Sequence, residues 1–281
     1  MLWFILWLVG TFFEESTNSI TKKQTLKYNI YQVWIIISFF SLVFFLIYAI
    51  IKILFLDKEI YINSNSYLLL AIRVCFEILQ SYFTIIAINK SDRSTFSIIR
   101  IITIPLLIIS DLILWYHFSI LSLVWLWILL IAFVIIWFSK NKINFNWWKY
   151  ALFTAINAVI TISLFKYSIT IYWNSVEFDQ FVVILSILIF YAFFLIKNKS
   201  KIPNIFKDKL FLIQWVSMWI STILISFSYL FLNASIATAI KRWWEMFWSI
   251  LFWYRIFGEK NLKFKLIMAI IIFIWLVLAI L

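Results

Sequence analysis

Ten ionisable residues stand inside otherwise apolar runs of this chain. They are the cations Arg73, Arg100, Lys166, Lys241 and Arg242, and the carboxylates Glu14, Glu15, Glu77, Asp111 and Glu245. Their neighbours recur at helical spacing. Arg73, Glu77, Gln80 and Thr84 fall at i, i+4, i+7 and i+11, a single helix face. Arg100, Thr103, Ser110 and Asp111 share a second face, and Thr238, Lys241, Arg242, Glu245 and Ser249 a third. Further stripes run through Thr11, Glu14, Glu15, Asn18 and Lys22, through Thr154, Asn157, Thr161 and Lys166, and through Gln214, Ser217, Ser221 and Ser228. The chemistry these groups can do is reversible ionic binding. Arg73, Arg100, Lys166 and Arg242 suit an anionic group. Glu15, Glu77, Asp111 and Glu245 suit the balancing of that charge, the binding of an amine, or the carrying of a proton. Asn18 and Asn157 add amide hydrogen bonds.

Covalent chemistry has no comparable set. One histidine, His117, and one cysteine, Cys75, exclude a multi-histidine or thiolate metal site. There is no Ser/His/Asp set and no acidic metal-binding motif. Two glycines leave no glycine-rich phosphate cradle. The sequence therefore predicts no catalytic residue, no metal and no cofactor. His117 reads as an interfacial residue and Cys75 as packing.

The elements that must carry these stripes follow from composition. Hydrophobic residues make up 65% of the 281 and charged residues 13%, and the mean hydropathy is +1.03. A soluble fold needs a polar shell that this chain cannot supply. A soluble enzyme, a disordered chain and a nucleic-acid-binding domain are excluded, although the net charge is +12. The lysines sit in short links between apolar runs, where they act as topology signals and contacts to anionic lipid headgroups.

A helix crosses the hydrocarbon core in about 20 residues. Ten such spans are predicted, near 2–22, 31–54, 66–88, 95–115, 120–138, 148–170, 180–196, 210–232, 235–256 and 262–281. Met1–Phe13 lacks a basic leader region and is followed by Glu14 and Glu15, so it reads as half of a membrane helix rather than a signal peptide. The odd-numbered links hold seventeen basic residues and the even-numbered links two, Lys52 and Lys58. Basic links stay cytoplasmic, which predicts both termini outside a cell (plasma or inner) membrane.

Ionisable groups at mid-bilayer cost about 2.5–3.5 kcal/mol each on insertion scales, so they turn toward partners or water. Spans 5 and 10 carry no charge and are assigned to the lipid-facing periphery. The stripes on the others line a shared polar cavity. A second arrangement of the same residues is a closed core of ion pairs, with Arg73 on Glu77 and Arg242 on Glu245. Buried ion pairs stabilise less than apolar packing of the same volume, so five cations and five carboxylates favour a hydrated interior.

Internal similarity supports a repeat. Residues 95–139 overlay 237–281 with an offset of 142, placing Arg100 on Arg242 and Ile98 on Ile240. An offset of 143 puts Thr11 on Thr154, Glu14 on Asn157 and Lys23 on Lys166. Halves of five spans, residues 1–143 and 144–281, must stand upside down relative to one another. The predicted fold class is an all-α integral membrane protein with ten transmembrane helices, as two inverted five-helix repeats around a central cavity.

The segment Ala234–Leu281, with Gly258-Glu259 before a final apolar span, resembles the end of an EamA-like domain. The stretch from Ala87 through Pro105 to Trp137 does so in the first half. The chain as a whole resembles the drug/metabolite transporter superfamily. That resemblance implies eight helices around a cavity with spans 5 and 10 outside it, and termini in the cytoplasm. On orientation the charge bias says the opposite, and it is the bias that fixes insertion. Pro105 cannot donate to the Ile101 carbonyl, so span 4 should bend there.

The function expected is secondary transport of a small polar or amphipathic metabolite (an amino acid, a nucleotide-like cofactor or a related solute) by alternating access. A lipid or lipid-headgroup flippase on the same fold is the alternative, and a membrane-embedded enzyme a more distant one. Partners are the small-molecule substrate and membrane lipids, without nucleic acid. A monomer encloses a cavity by itself, and a homodimer is equally compatible.

Overall fold

A computed structural model of the chain describes residues 2–55, 60–90, 96–97, 99–114, 148–199, 202–203, 208–230, 234–257, 266–267 and 269–270. All regular structure among them is helical. Eight α-helices follow in order: α1 (Leu2–Thr25), α2 (Ile30–Phe55), α3 (Tyr67–Lys90), α4 (Thr103–Ile113), α5 (Trp148–Thr170), α6 (Val176–Lys197), α7 (Lys209–Ser228) and α8 (Ala234–Phe257). Two 3-10 turns, Ser64–Ser66 and Arg100–Ile102, lead into α3 and α4. The predicted span 5 lies outside the described residues, and so does span 10 apart from Leu266, Ile267, Ala269 and Ile270.

Among the described residues, five helices are long and apolar enough to cross a membrane: α2, α3 with its preceding turn, α5, α6 and α7. α1 and α8 have 24 residues each, which is ample length, but their charged stripes keep them out of that group. Hydrophobic side chains point outward on most helices, among them Ile50, Leu54, Leu68, Ile113, Phe193 and Ile196. Thr11, Arg73, Thr154, Asp179, Arg242 and Glu245 are buried instead. A water-soluble fold has the reverse distribution. Hydroxyls on the helices bond back to carbonyls one turn earlier, as Thr11 does to Trp7 (2.7 Å) and Thr21 to Thr17 (2.7 Å). Such bonds satisfy polar groups without water.

Two helix starts show local rules at work. Asp208 caps α7 by accepting from the Leu210 amide at 3.1 Å. α6 begins at Val176, four residues ahead of the predicted span, with Ser175 at the N-cap position and Glu177 and Asp179 in its first turn. Acidic side chains there complement the helix dipole. The predicted bend at Pro105 takes another form. The 3-10 turn ends at Ile102 and α4 starts afresh at Thr103, so Pro105 occupies the first α-helical turn, where its missing N–H is not needed.

Packing closes the helices into a ring in the order α1, α7, α2, α6, α3, α5, α4, α8 and back to α1. Side-chain pairs fix the direction of each neighbour. α1 and α7 are antiparallel: Gln214 donates to Thr21 at 2.6 Å while Trp7 meets Tyr229 edge-on, ring centres 5.3 Å apart. Gly10 permits their approach, since a Cβ there would lie 3.1 Å from Ile225 and 3.2 Å from Leu224. α2 runs parallel to α7, through Phe40–Trp215 and Phe44–Trp219. It runs antiparallel to α6, through Tyr31–Phe194 and Lys52–Glu177. α3 is parallel to α6, through Arg73–Asp179 and Ser81–Tyr191, and antiparallel to α5, through Asn157–Gln80 and Phe83–Tyr150. α4 is parallel to α5, with Ile99 beside Ala151 and Ser110 bonded to Ser163 at 2.7 Å. It is antiparallel to α8, through Asp111–Ser235 and Arg100–Glu245.

These directions gather the C-terminal ends of α1, α3, α6 and α8 with the starts of α2, α5 and α7. Exposed Lys23, Lys27, Lys90, Lys149, Lys197, Lys199, Lys209 and Arg255 all stand at this end, called the basic end below. At the opposite end Lys52 is paired with Glu177 at 2.9 Å. The apolar core joins Trp7, Phe165, Ile225, Tyr229, Trp243 and Trp244 from α1, α5, α7 and α8. The Trp243–Trp244 pair is thus packed inside the bundle.

Candidate functional site

Inside the ring lies a polar cavity in two adjoining chambers. The larger, about 330 Å³, reaches toward the basic end along Thr21, Trp34 and Ile88, and is bounded on its other side by Gln180, Ile225 and Ser226. Glu14, Asn18, Glu77, Gln80, Arg100 and Lys241 face it, with Trp34, Ile37 and Met218 as its apolar wall. The smaller, about 200 Å³, lies deeper and is faced by Arg73, Glu77, Arg100, Lys241 and Arg242. Glu77, Gln80, Arg100, Gln180, Ser226 and Lys241 border both.

The charges meet in pairs, three across elements and two within one helix. Lys241 of α8 reaches Glu14 of α1 at 3.0 Å. Arg100 reaches Glu245 at 3.3 Å, and Arg242 holds the other Glu245 oxygen. Arg73 pairs with Glu77 one turn on at 3.5 Å, and with Asp179 of α6. Its guanidinium also lies 4.5 Å from the Phe165 ring centre. Glu245 and Asp179 are fully buried and border neither chamber. Their partners Arg73, Arg100 and Arg242 do border the deep chamber. Its wall therefore presents four cations and one carboxylate, Glu77, while the compensating carboxylates stand behind. The outer chamber adds Glu14, whose Oε2 has no hydrogen-bond partner among the described residues.

Of the residues singled out in the sequence, Asn18, Arg73, Glu77, Arg100 and Arg242 come together on this cavity. Glu245 supports two of them from behind. The other four are placed elsewhere. Glu15 is fully buried in α1 and is not among the lining residues. Asp111 accepts from the Ser235 amide at 2.9 Å, at the start of α8. Asn157 donates to Gln80 and to the Phe76 carbonyl, each at 2.8 Å, tying α5 to α3. Lys166 donates to the Tyr229 carbonyl at 2.6 Å, at the end of α7. Polar stripes mark burial, and a buried polar group can be satisfied by a helix-to-helix bond instead of a cavity.

Two contributors escaped the sequence reading. Asp179 and Gln180 belong to the first turns of α6. Their signal was present, as Ser175 followed by two acids ahead of an apolar run is a helix-start pattern.

No protein-family model matches this chain, and no curated protein matches it in sequence.

Proposed function

We propose that this protein is a secondary transporter of the drug/metabolite type, with ten spans in two inverted halves, residues 1–143 and 144–281. The two-chamber cavity is its substrate site. One observation carries the reading: the ring is unchanged when the halves are exchanged. Under that exchange α1 takes the place of α5, α2 of α6, α3 of α7 and α4 of α8. The packed pair α1–α7 then becomes α5–α3, α7–α2 becomes α3–α6, and α1–α8 becomes α5–α4, all of which are packed. α2–α6 and α4–α8 map onto themselves. α1 and α5 point in opposite directions, and α4 ends where α5 does, at the far end of the ring from the start of α5. That is the geometry an odd number of spans per half requires.

The charge arrangement supports transport over a closed ion-paired core. A closed core leaves no volume, whereas here the pairs wall a space within the size range of small-molecule sites. The deep chamber suits an anionic group, and Glu14 with the amides of Asn18 and Gln80 suits a hydrogen-bond-donating end such as an amine or hydroxyl. A small polar or amphipathic metabolite with an acidic group fits both. The basic end faces the cytoplasm by the positive-inside rule, in the cell membrane, so the larger chamber reaches toward the cytoplasmic side. A monomer encloses the site.

The test is reconstitution. Purified protein in liposomes, offered a panel of isotope-labelled amino acids and nucleotides, should accumulate at least one above protein-free vesicles. Arg100→Gln and Arg242→Gln should cut that uptake about tenfold or more, as loss of a charge-assisted bond worth about 1.5–3 kcal/mol demands. Accumulation of none of them, or unaltered uptake in both variants, refutes the assignment.

A further inference from the structure

At the end of the ring opposite the basic end, the α2–α3 connection is stitched to the α5–α6 connection. The Ser175 amide donates to the Tyr61 carbonyl at 3.0 Å, and the Tyr61 amide to the Ser175 hydroxyl at 2.9 Å. The Asn63 amide donates to the Asn174 side chain at 2.8 Å. Asn174 in turn donates to Ser66 (2.8 Å) and Ser168 (2.9 Å). The Ser168 hydroxyl donates to Asp179, and Asp179 holds Arg73. Ser66, Ser168, Asn174, Asp179 and Arg73 are all buried. An unbroken polar chain therefore runs from the connection at the surface to a guanidinium on the wall of the deep chamber.

Two features single this chain out from ordinary helix capping. It joins segments more than a hundred residues apart in sequence, one from each half of the ring. It also has a shared member, since Arg73 faces the cavity and pairs with Asp179. A buried polar network is stable only while every member is satisfied. Whatever draws Arg73 from Asp179 strands a buried carboxylate and loosens the hydrogen bonds beyond it.

We propose that Asp179, Ser168 and Asn174 form a latch that closes this end of the cavity, and that Arg73 makes its release depend on what occupies the cavity. The proposal rests on the transport reading and adds its outer gate. An anionic substrate group bound at Arg73 competes with Asp179. The connections at 61–66 and 171–175 then separate, and the cavity opens to the other face. Trp173, at a positive φ of 57° between α5 and α6, marks the turn that brings Asn174 and Ser175 against the facing connection.

The experiment uses the full chain in cells, with Cys75→Ser as background and Ser226→Cys as reporter on the wall shared by both chambers. A membrane-impermeant maleimide is applied to intact cells and to inside-out vesicles. The reporter should react from one face alone. Adding Asp179→Asn, Asn174→Ala or Arg73→Gln should admit the reagent from the second face, with labelling there about tenfold faster, the factor set by losing one bond to a charged group. Asn174→Ala strands no charge, so it reads the latch even where Asp179→Asn fails to fold. Reaction from one face with all three variants unchanged overturns the latch and leaves the transporter reading standing. An effect of Asn174→Ala and Asp179→Asn without one of Arg73→Gln overturns the link to the cavity. A reporter that reacts from neither face overturns the open cavity, and the latch falls with it.

Discussion

Glu245→Gln separates a hydrated cavity wall from the buried support behind it. Glu245 is fully buried and serves two guanidiniums, with Arg100 at 3.3 Å and Arg242 on its second oxygen. The amide keeps the shape and removes the charge. Arg242, whose side chain is 1% exposed, is left without compensation, and stranding one buried partner costs about 3–5 kcal/mol. Arg100 is 11% exposed at the cavity edge and recovers part of its loss from water, so the expected total is about 3 kcal/mol, at the low end of that range. Glu14→Gln is the control. Glu14 and Lys241 are 23% and 13% exposed to the cavity, and a solvated pair of this kind is worth about 1 kcal/mol or less. Denaturant unfolding of detergent-purified protein, followed by the fluorescence of its seventeen tryptophans, measures both. Adding Arg242→Gln to Glu245→Gln should restore part of the loss, with a coupling of about 1–3 kcal/mol. Equal costs for Glu245→Gln and Glu14→Gln, or no rescue by the second change, would show that Glu245 does not carry the network.

Three further outcomes follow from the packing. Gly10→Leu should destabilise by about 1–3 kcal/mol through overpacking against Leu224 and Ile225, whereas Gly10→Ala should be near neutral, because a helix-propensity gain of about 1 kcal/mol offsets the small adjustment; the same unfolding titration reads both. Asn157→Leu should cost about 1–3 kcal/mol by leaving Gln80 without its donor, with helix content by circular dichroism unchanged. In a Cys75→Ser background, Trp173→Cys should react with impermeant maleimide on intact cells, and Leu26→Cys only after permeabilisation, since both positions are well exposed at opposite ends of the ring; the reverse pattern would invert the orientation drawn from the basic links.

The split between legible and illegible features is sharpest at Arg73. Its helix, the face it shares with Glu77 and Gln80, and its burial all follow from spacing and apolar context, because a helix repeats every 3.6 residues and the bilayer penalises outward charge. Its second partner does not follow. Asp179 lies 106 positions on, at a helix start whose acids resemble a link when read in isolation. Lys166 shows the converse: its stripe was visible, yet it bonds a carbonyl at the end of α7 rather than facing the cavity.

Composition alone determined that the chain is oily beyond any soluble fold, and periodicity determined which side chains turn inward. The alternation of lysine-rich links determined that its helices reverse direction at each turn. All three are local properties, set by the solvent each residue would meet. Which buried charge meets which, and where a space remains between them, were decided only by tertiary packing. Arg100 and Glu245 are 145 residues apart, and no local preference of either chain segment selects the other. The closed ring selects it, because within a low-dielectric interior each stranded charge is so costly that the arrangement satisfying all of them together prevails.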